Sequence, residues 1–315
     1  MHSLLTGILP AFVITMTFGG TFFSIVDAVA QPPLTTQSQD SAGETGNNDS
    51  EDVERSGAGA SVAAEAGSNG TKDEVEIGQI VFPTYDFKMA GKKVFYGLYL
   101  PKSFDKSKTY PLVVALHGLG SNPGQILSYP GFTKRADQQQ YVLVAPMGYN
   151  SRGWYGSRGK GGGRGSDPKN LGELSEQDVM NVLELTQNQF KIDPNRIYLY
   201  GHSMGGGGAM HLAMTHPELW AAIAVVAPAA YGDRDRLAAA KEIPTFVIQG
   251  DTDRLVSVRE TRKWVEKMKE LKMNHRYVEV KNGGHVFIAF QHFDEIFSFY
   301  AANSKEGDVV QEQSK

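Results

Sequence analysis

Five runs of consecutive apolar residues constrain the fold of this chain more than any other feature of its sequence. They read YPLVVALHG, YVLVAP, RIYLYGH, AAIAVVAP and PTFVIQG, and they occupy residues 110–118, 141–146, 196–202, 221–228 and 244–250. Short runs that are apolar at nearly every position are typical of parallel strands covered on both faces. A further segment, 92–101, alternates apolar and polar residues with period two, which predicts a strand near a sheet edge.

Segments with helical spacing separate these strands. We predict helices at about 132–140, 174–190, 204–216, 257–272 and 287–301. The second helix is expected to begin at a capping box formed by Ser175 to Asp178. Strands that alternate with helices predict an α/β fold with a mostly parallel, doubly wound sheet flanked by helices. Ligands of such sheets bind at the carboxyl ends of the strands.

The N-terminal part of the chain differs in composition from the predicted domain. Residues 1–30 are largely apolar and end in the small residues Ala28-Val29-Ala30, which predicts a signal peptide or an N-terminal membrane anchor. Residues 31–78 carry ten acidic residues against two basic ones, which predicts a disordered acidic linker. We therefore expect a folded domain at 79–303, a polar tail at 304–315, and a location that is secreted, periplasmic or membrane-anchored and facing outward.

A serine lies between two glycines where the predicted strand 196–202 gives way to the predicted helix 204–216, in the segment GHSMG. This context is the one that a nucleophile elbow requires. Gly201 and Gly205 permit close approach of the backbone, and the hydroxyl projects at the helix N-terminus, where the helix dipole favours negative charge. Ser203 is therefore the candidate nucleophile.

A serine hydroxyl needs a base that takes its proton, and the base needs a carboxylate that orients it. Among the eight histidines, His285 lies in a glycine-rich loop after a predicted strand and follows both the serine and an acidic loop in the chain. That acidic loop, DTDRLV, offers Asp251 and Asp253. Asp253 is favoured, because Asp251 directly follows Gly250 and can instead close the turn with its side chain.

The turn LHGLG, at the end of the first continuous apolar run, is the expected source of an oxyanion site. The backbone N–H groups of Leu119 and Met204 are the candidate donors. Each donor of this kind typically contributes about 100- to 1000-fold to the rate. His117 is interpreted as a structural residue that holds the loop through hydrogen bonds.

Four segments resemble the α/β-hydrolase family, namely LYLPKSFDKSKTYPLVVALHG, DPNRIYLYGHSMGGGGA, GDTDRLV and GGHVF. They look most like the secreted esterase branch, which contains feruloyl and acetylxylan esterases and short polyhydroxybutyrate depolymerases. The run GHSMGGGG is also similar to bacterial cutinases and polyester hydrolases. The resemblance covers about 90–300 and implies an α/β-hydrolase fold with Ser203, Asp253 and His285 as a catalytic triad.

The segment between the strand 141–146 and the helix 174–190 is long and glycine-rich, and such loops are usually functional or disordered. Because it follows a strand end, we expect it beside the catalytic mouth, where Trp154 and Tyr155 would form an aromatic wall for an aryl, sugar or polymer group. Alternatively, the loop is solvated and Trp154 packs inward. A positive rim suited to carboxylated substrates is expected from the basic residues Arg152, Arg158, Lys160 and Arg164.

The composition excludes several other chemistries. The chain has no cysteine, so it has no disulfide, no thiolate nucleophile and no cysteine-ligated metal. The sequence holds no cluster of metal ligands, and its basic residues form neither a helical stripe nor a nucleic-acid-binding motif. We expect no metal, no cofactor and no nucleic-acid partner.

These patterns predict a serine carboxylic ester hydrolase that works through an acyl-enzyme on small-molecule or polymer esters of the feruloyl, acetyl or polyester type, with a possible membrane tether. A serine peptidase of the prolyl oligopeptidase type shares the fold and triad and is the first alternative. Such peptidases usually add a propeller domain, for which 31–80 is far too short. The second alternative is a noncatalytic binding module on the same scaffold, since a fold does not determine function.

Overall fold

The computed structural model describes residues 76–305, and nine strands of this range form one mixed sheet. The strands are β1 (Ile80–Val81), β2 (Thr84–Phe87), β3 (Lys92–Tyr99), β4 (Tyr110–Leu116), β5 (Val142–Pro146), β6 (Ile192–His202), β7 (Ala222–Val226), β8 (Thr245–Gly250) and β9 (His275–Val280). Their order across the sheet is β1-β3-β5-β4-β6-β7-β8-β9, and β2 pairs with β3.

The direction of the strands confirms the predicted doubly wound sheet. β3 is antiparallel to β1, β2 and β5, whereas all pairs from β5 to β9 are parallel. The chain passes from β4 to β5 on one side and then returns to place β6 on the other side of β4. Sheets of this type bind their ligands at such a reversal, which here lies at the carboxyl ends of β4 and β6.

Helices cover both faces of the sheet. They are α1 (Pro123–Leu127), α2 (Phe132–Gln139), α3 (Leu171–Gln189), α4 (Met204–Thr215), α5 (Val258–Glu270) and α6 (Phe293–Ala301). Along β4, Leu112 and Val114 pack with α3, α4 and α5, whereas Val113 and Ala115 pack with α1, α2 and α6. All four side chains are fully buried. Burial on both faces explains the continuous apolar runs, since each large buried aliphatic side chain stabilises the fold by about 1.5–3 kcal/mol.

The predicted capping box at Ser175 to Asp178 is wrong, because α3 begins one turn earlier, at Leu171. Ser175 and Asp178 are instead buried inside the helix and accept tertiary hydrogen bonds. Ser175 Oγ accepts from Tyr155 N at 2.9 Å, and Asp178 Oδ2 accepts from Gly148 N at 2.6 Å. Both side chains therefore hold the loop after β5 against α3, and neither caps a helix end.

The last helix is shorter than the predicted 287–301. A separate 3₁₀ turn spans Phe287–Ala289, and α6 begins at Phe293. The ring of Phe293 stacks on Phe132 of α2, with centroids 4.6 Å apart and planes 6° apart. This contact joins the first turn of α6 to α2.

The predictions for the ends of the chain are only partly covered by the structure. The expected signal peptide or anchor at 1–30, nearly all of the expected linker at 31–78, and positions 306–315 of the expected tail lie outside the described residues. Within residues 76–305, no helix combines the length and the apolar character needed to cross a bilayer.

Candidate active site

Ser203 occupies the sharp turn between β6 and α4. Its backbone has φ 57° and ψ −117°, a combination that is strained for a residue with a side chain. Ser203 N donates to Val226 O at 2.9 Å, and Ser203 O accepts from Gly207 N at 3.0 Å and from Ala229 N at 2.9 Å. These three hydrogen bonds hold the strained turn, which is the geometry of a nucleophile elbow.

The glycines around the serine allow the backbones of β4, β6 and α4 to touch. A Cβ atom on Gly205 would lie 1.9 Å from Leu116 O, and one on Gly201 would lie 2.2 Å from Gly205 O. A Cβ on Gly207 would lie 2.3 Å from Ala229 O. Only glycine fits at these positions, so the motif places Ser203 close to the carboxyl end of β4.

His285 and Asp253 form a buried hydrogen-bonded pair. His285 Nδ1 lies 2.7 Å from Asp253 Oδ2, and the two side chains are 10% and 0% exposed. Asp253 Oδ1 also accepts from Leu255 N at 2.8 Å and from Val256 N at 2.9 Å. Burial opposes ionisation of Asp253, but its hydrogen bonds with His285 and the two amides outweigh burial and lower its pKa. The carboxylate is therefore ionised at neutral pH and can orient the imidazole.

Asp251, the other candidate acid, does not reach the histidine. Its backbone N–H donates to Val280 O at 3.1 Å, and its Oδ1 atom is buried without a hydrogen-bond partner among the described residues. The structure thus brings Asp253, rather than Asp251, to His285.

The acid loop and the histidine loop are joined by their backbones. Thr252 donates to Gly283 O twice, from N at 3.1 Å and from Oγ1 at 2.9 Å. Close packing accompanies these bonds, since a Cβ on Gly250 would lie 2.1 Å from the same oxygen. The two loops therefore form one unit that holds the acid against the base.

His202 places the histidine loop next to the nucleophile, a role that the sequence did not reveal. Its Nε2 atom lies 3.0 Å from His285 O, its Nδ1 atom lies 2.8 Å from Tyr129 Oη, and its ring centroid lies 5.0 Å from that of His285. Burial, together with the charge of His285, lowers the pKa of His202 to about 4. Neutral His202 can donate from Nε2 and accept at Nδ1, which satisfies both contacts.

Ser203 Oγ makes no hydrogen bond within residues 76–305, so its hydroxyl is free to turn toward the base.

The two predicted oxyanion donors flank the serine. Met204 follows it at the start of α4, and the loop that carries Leu119 lies against it, because a Cβ on Gly118 would be 3.6 Å from Ser203 Cβ. Among the described residues, neither Leu119 N nor Met204 N donates a hydrogen bond. Both amides are therefore available to a negatively charged oxygen.

Tyr155 contradicts the predicted aromatic wall, because its side chain is completely buried beneath the site. Its hydroxyl accepts from His117 N at 3.0 Å and so fixes the start of the oxyanion loop. The ring nitrogens of His117 lie 2.8 Å from Gly118 O and 3.0 Å from Met147 O. Burial lowers the pKa of His117, which therefore donates from one nitrogen as a neutral imidazole. His117 has the structural role expected for it, and Tyr155 shares that role.

Trp154 is partly exposed but also packs against the core, as the alternative expected, and its aromatic partner is Tyr231 rather than Tyr155. The ring centroids of Trp154 and Tyr231 are 6.2 Å apart, and the guanidinium carbon of Arg158 lies 3.5 Å from the Trp154 centroid. Tyr231 is 53% exposed in the loop after β7. No periodic pattern in the sequence pointed to Tyr231.

The predicted positive rim is weaker than its four basic residues suggested. Arg152 forms two hydrogen bonds with Asp167 at 2.8 Å each, and Lys160 Nζ lies 4.0 Å from Glu173. These acids offset half of the expected charge. Arg158 and Arg164 form no ion pair within the part of the chain that the structure describes.

Exposed apolar side chains lie in or next to the loops that carry Asp253, His285 and the predicted oxyanion donor Leu119. We call the set of four in the loops at the carboxyl ends of the strands the apolar collar: Leu119, Leu255, Val286 and Phe287. Leu255 is 72% exposed, and the other three are between 54% and 58% exposed.

The described residues contain no group of histidine and acidic side chains suited to a metal ion.

Comparison with known proteins gives the family of the chain. The family model described as "Putative esterase" matches residues 88–293. S-formylglutathione hydrolase of Rattus norvegicus is 31% identical over 147 residues, which cover 43% of this chain and 52% of the relative. Feruloyl esterase D of Neurospora crassa is 27% identical over 150 residues, which cover 44% and 47%. The chain thus matches about half the length of these curated relatives.

Solved structures agree with the fold. A thermostable esterase has a TM-score of 0.57 at 24% identity, covering 72% of this chain and 63% of the other. A ferulic acid esterase from Anaeromyces mucronatus has a TM-score of 0.58 at 18% identity, and the match covers 74% of this chain and 93% of the other. At these identities the likeness shows the α/β-hydrolase fold. Because the family model covers well over half of the sequence, the chain belongs to this esterase family of the α/β-hydrolase fold.

Proposed function

We propose that this protein is a serine carboxylic ester hydrolase that acts through a Ser203–His285–Asp253 triad and an acyl-enzyme. The observation that carries the proposal is the 2.7 Å contact between His285 Nδ1 and Asp253 Oδ2, beside a serine held on a strained strand-to-helix turn. Names of relatives such as feruloyl esterase and S-formylglutathione hydrolase support the reaction class.

The chemistry follows from the hydrogen bonds. His285 Nδ1–H donates to Asp253, which leaves Nε2 able to take the proton of Ser203 as the hydroxyl oxygen attacks the ester carbonyl. The Leu119 and Met204 amides bind the oxyanion. His285 then gives its proton to the departing alcohol. In the second half of the reaction, His285 takes a proton from water as the water oxygen attacks the acyl-enzyme, and it returns that proton to Ser203 Oγ as the acid is released. This sequence requires no cofactor.

The substrates that we propose are esters of plant or microbial polymers, or fragments of such polymers. The apolar collar supports this class, because its side chains lie in the loops that carry the triad and can cover the apolar part of a chain or aryl group. Burying such surface contributes about 25 cal/mol per Å². Trp154, which packs with Arg158 and Tyr231, is partly exposed in the loop after β5.

We also propose that the chain is exported, either by cleavage of residues 1–30 or with those residues kept as a membrane tether. Expression of the full chain in a secreting host tests this proposal. Mass spectrometry of the mature N-terminus distinguishes cleavage after Ala30 from retention in the membrane fraction. Recovery of an intact N-terminus only in the cytosol would contradict export.

A fluorophosphonate probe tests the catalytic proposal. The full-length chain is labelled, the adduct is mapped by mass spectrometry, and turnover of feruloyl, acetyl and short-chain aryl esters is measured. We expect the adduct on Ser203 and loss of turnover in Ser203→Ala. Ser298→Ala, which removes an exposed hydroxyl of α6, is the matched control and should keep full activity.

Other outcomes have distinct meanings. Hydrolysis of an aminoacyl amide as fast as the matching ester would favour a peptidase over an ester hydrolase. A folded chain that gives neither adduct nor turnover would contradict catalysis and favour a binding module on the same scaffold.

A further inference from the structure

An arginine packs on two aromatic rings in the loops that follow β5 and β7. The guanidinium carbon of Arg158 lies 3.5 Å from the Trp154 ring centroid and 5.4 Å from that of Tyr231. We call these three residues the Arg158 platform. Stacking on the ring faces restrains the guanidinium while leaving its N–H edge free to donate hydrogen bonds.

The chain segments that carry the platform contact α4 and the nucleophile elbow. Its Trp154 precedes Tyr155, whose ring would lie 2.7 Å from a Cβ on Gly208. Its Tyr231 comes two residues after Ala229, whose N–H donates to Ser203 O at 2.9 Å. Both aromatic residues are thus attached to segments that contact the nucleophile elbow.

The charge of the platform is not offset by an acid of the described residues. Arg158 has no ion pair there, in contrast to Arg152, which is bound by Asp167. Asp233, which follows Tyr231 in the same loop, caps the next 3₁₀ helix by accepting from Asp235 N at 2.9 Å. A restrained guanidinium with free donors is suited to binding a carboxylate.

There is space for such a group. Ser157, Arg158, Tyr231 and Gly232 line an open concavity of about 440 Å³. No acidic side chain lines it. An anion bound there would meet the guanidinium without repulsion from a neighbouring carboxylate.

We propose that the Arg158 platform binds a carboxylate carried by the ester substrate, which would make the enzyme selective for anionic esters. This inference rests on the proposed ester hydrolase activity. The platform lies in the loops that follow β5 and β7, whereas Leu255, Val286 and Phe287 of the apolar collar lie in or beside the acid and histidine loops. The favoured substrate therefore has an apolar part toward the collar and a carboxylate toward Arg158.

Matched esters test the inference and locate the carboxylate. The 4-nitrophenyl monoester of adipate and its methyl-capped form differ only in a carboxylate on the acyl part. 4-Acetoxybenzoate and its methyl ester differ in the same way on the alcohol part. We expect kcat/KM to favour the anionic member of one pair by about tenfold, the effect of one charge-assisted hydrogen bond.

Variants assign the preference to the platform. Arg158→Gln should bring the ratio of anionic to neutral kcat/KM close to one, and Arg158→Lys should give an intermediate ratio, because it keeps the charge but loses the stacked fork. Lys169→Gln removes an exposed charge from the same loop and should leave the ratio unchanged. An unchanged ratio in Arg158→Gln, or an equal fall in Lys169→Gln, would overturn the proposal.

A binding experiment separates this inference from the proposed activity. Calorimetric titration of Ser203→Ala with each ester pair measures affinity without turnover. We expect tighter binding of the anionic member, and loss of this preference in the Ser203→Ala, Arg158→Gln double variant. Equal affinities for both members of each pair would refute the carboxylate site even if the esters are hydrolysed. A platform-dependent preference would support it even if the wild type hydrolyses neither.

Discussion

Replacing Asp253 with asparagine is the sharpest test of the candidate triad, because the structure determines which way the new amide must face. Asp253 Oδ1 accepts from the backbone amides of Leu255 and Val256 at 2.8 and 2.9 Å. An asparagine oxygen must occupy that position, since an NH₂ group there would face two donors. The NH₂ group is then directed at His285 Nδ1.

The magnitude follows from the resulting tautomer. With an amide donor at 2.7 Å from Nδ1, the imidazole must accept there and carry its proton on Nε2, where it can no longer take the proton of Ser203. Enforcing the wrong tautomer in a triad of this kind lowers kcat by about 10⁴, which corresponds to about 5 kcal/mol in the transition state. The same NH₂ group faces Gln249 Nε2, so we also expect a loss of about 1–3 kcal/mol in stability.

The assay measures kcat with an aryl ester and the free energy of unfolding by urea denaturation, at a temperature where every variant is folded. Asp251→Asn is the matched control and should change kcat by no more than a few-fold, because Asp251 makes no hydrogen bond to His285. Retention of kcat within tenfold in Asp253→Asn would refute the tautomer argument. An equal loss in Asp251→Asn would show that the acid has been assigned to the wrong residue.

Three further predictions concern the surroundings of the triad. In Gly205→Ala the new Cβ would lie 1.9 Å from the end of β4, so this variant should have a lower melting temperature and a lower kcat. Gly161→Ala is the control, because that position has room for a methyl group. Tyr155→Phe removes the hydroxyl that accepts from His117 N and so leaves this buried amide unpaired. It should lower the free energy of unfolding, measured by urea denaturation, by about 1–3 kcal/mol, and it should reduce kcat. The folded-state pKa of His202 is about 4 against 6.5 when unfolded, so the unfolded chain binds more protons between these values. Stability should fall by about 3 kcal/mol on acidification across that window, and His202→Gln should flatten this dependence.

Much of the fold was predictable because burial on both faces of the sheet leaves a local trace. The runs at 110–118 and 221–228 are apolar throughout and correspond to β4 and β7. The start of α3 was not predictable, because Ser175 and Asp178 match a capping box locally while their actual partners are amides about 20 and 30 residues away. Spacing alone does not distinguish a local cap from a tertiary acceptor.

Local sequence patterns likewise predicted only part of the candidate active site. Ser203 and His285 each follow a strand of the parallel sheet, so topology brings their loops to one edge. The roles of Trp154 and Tyr155 could not be separated by pattern, because consecutive residues with φ 59° and 50° direct one ring toward the surface and the other into the core. The participation of Tyr231 depends on a contact between distant loops.

The double hydrogen bond from Thr252 to Gly283 O has a consequence for local opening. Neither the acid loop nor the histidine loop can unfold without breaking both bonds, so their amides should exchange with solvent as one cooperative unit. The glycine-rich segment around residues 159–165 shares none of these bonds. That segment instead bonds to the start of α3, where Gly161 O accepts from Gly172 N at 2.8 Å and Lys160 O accepts from Glu173 N at 2.9 Å, so opening there would leave the contact between His285 and Asp253 intact.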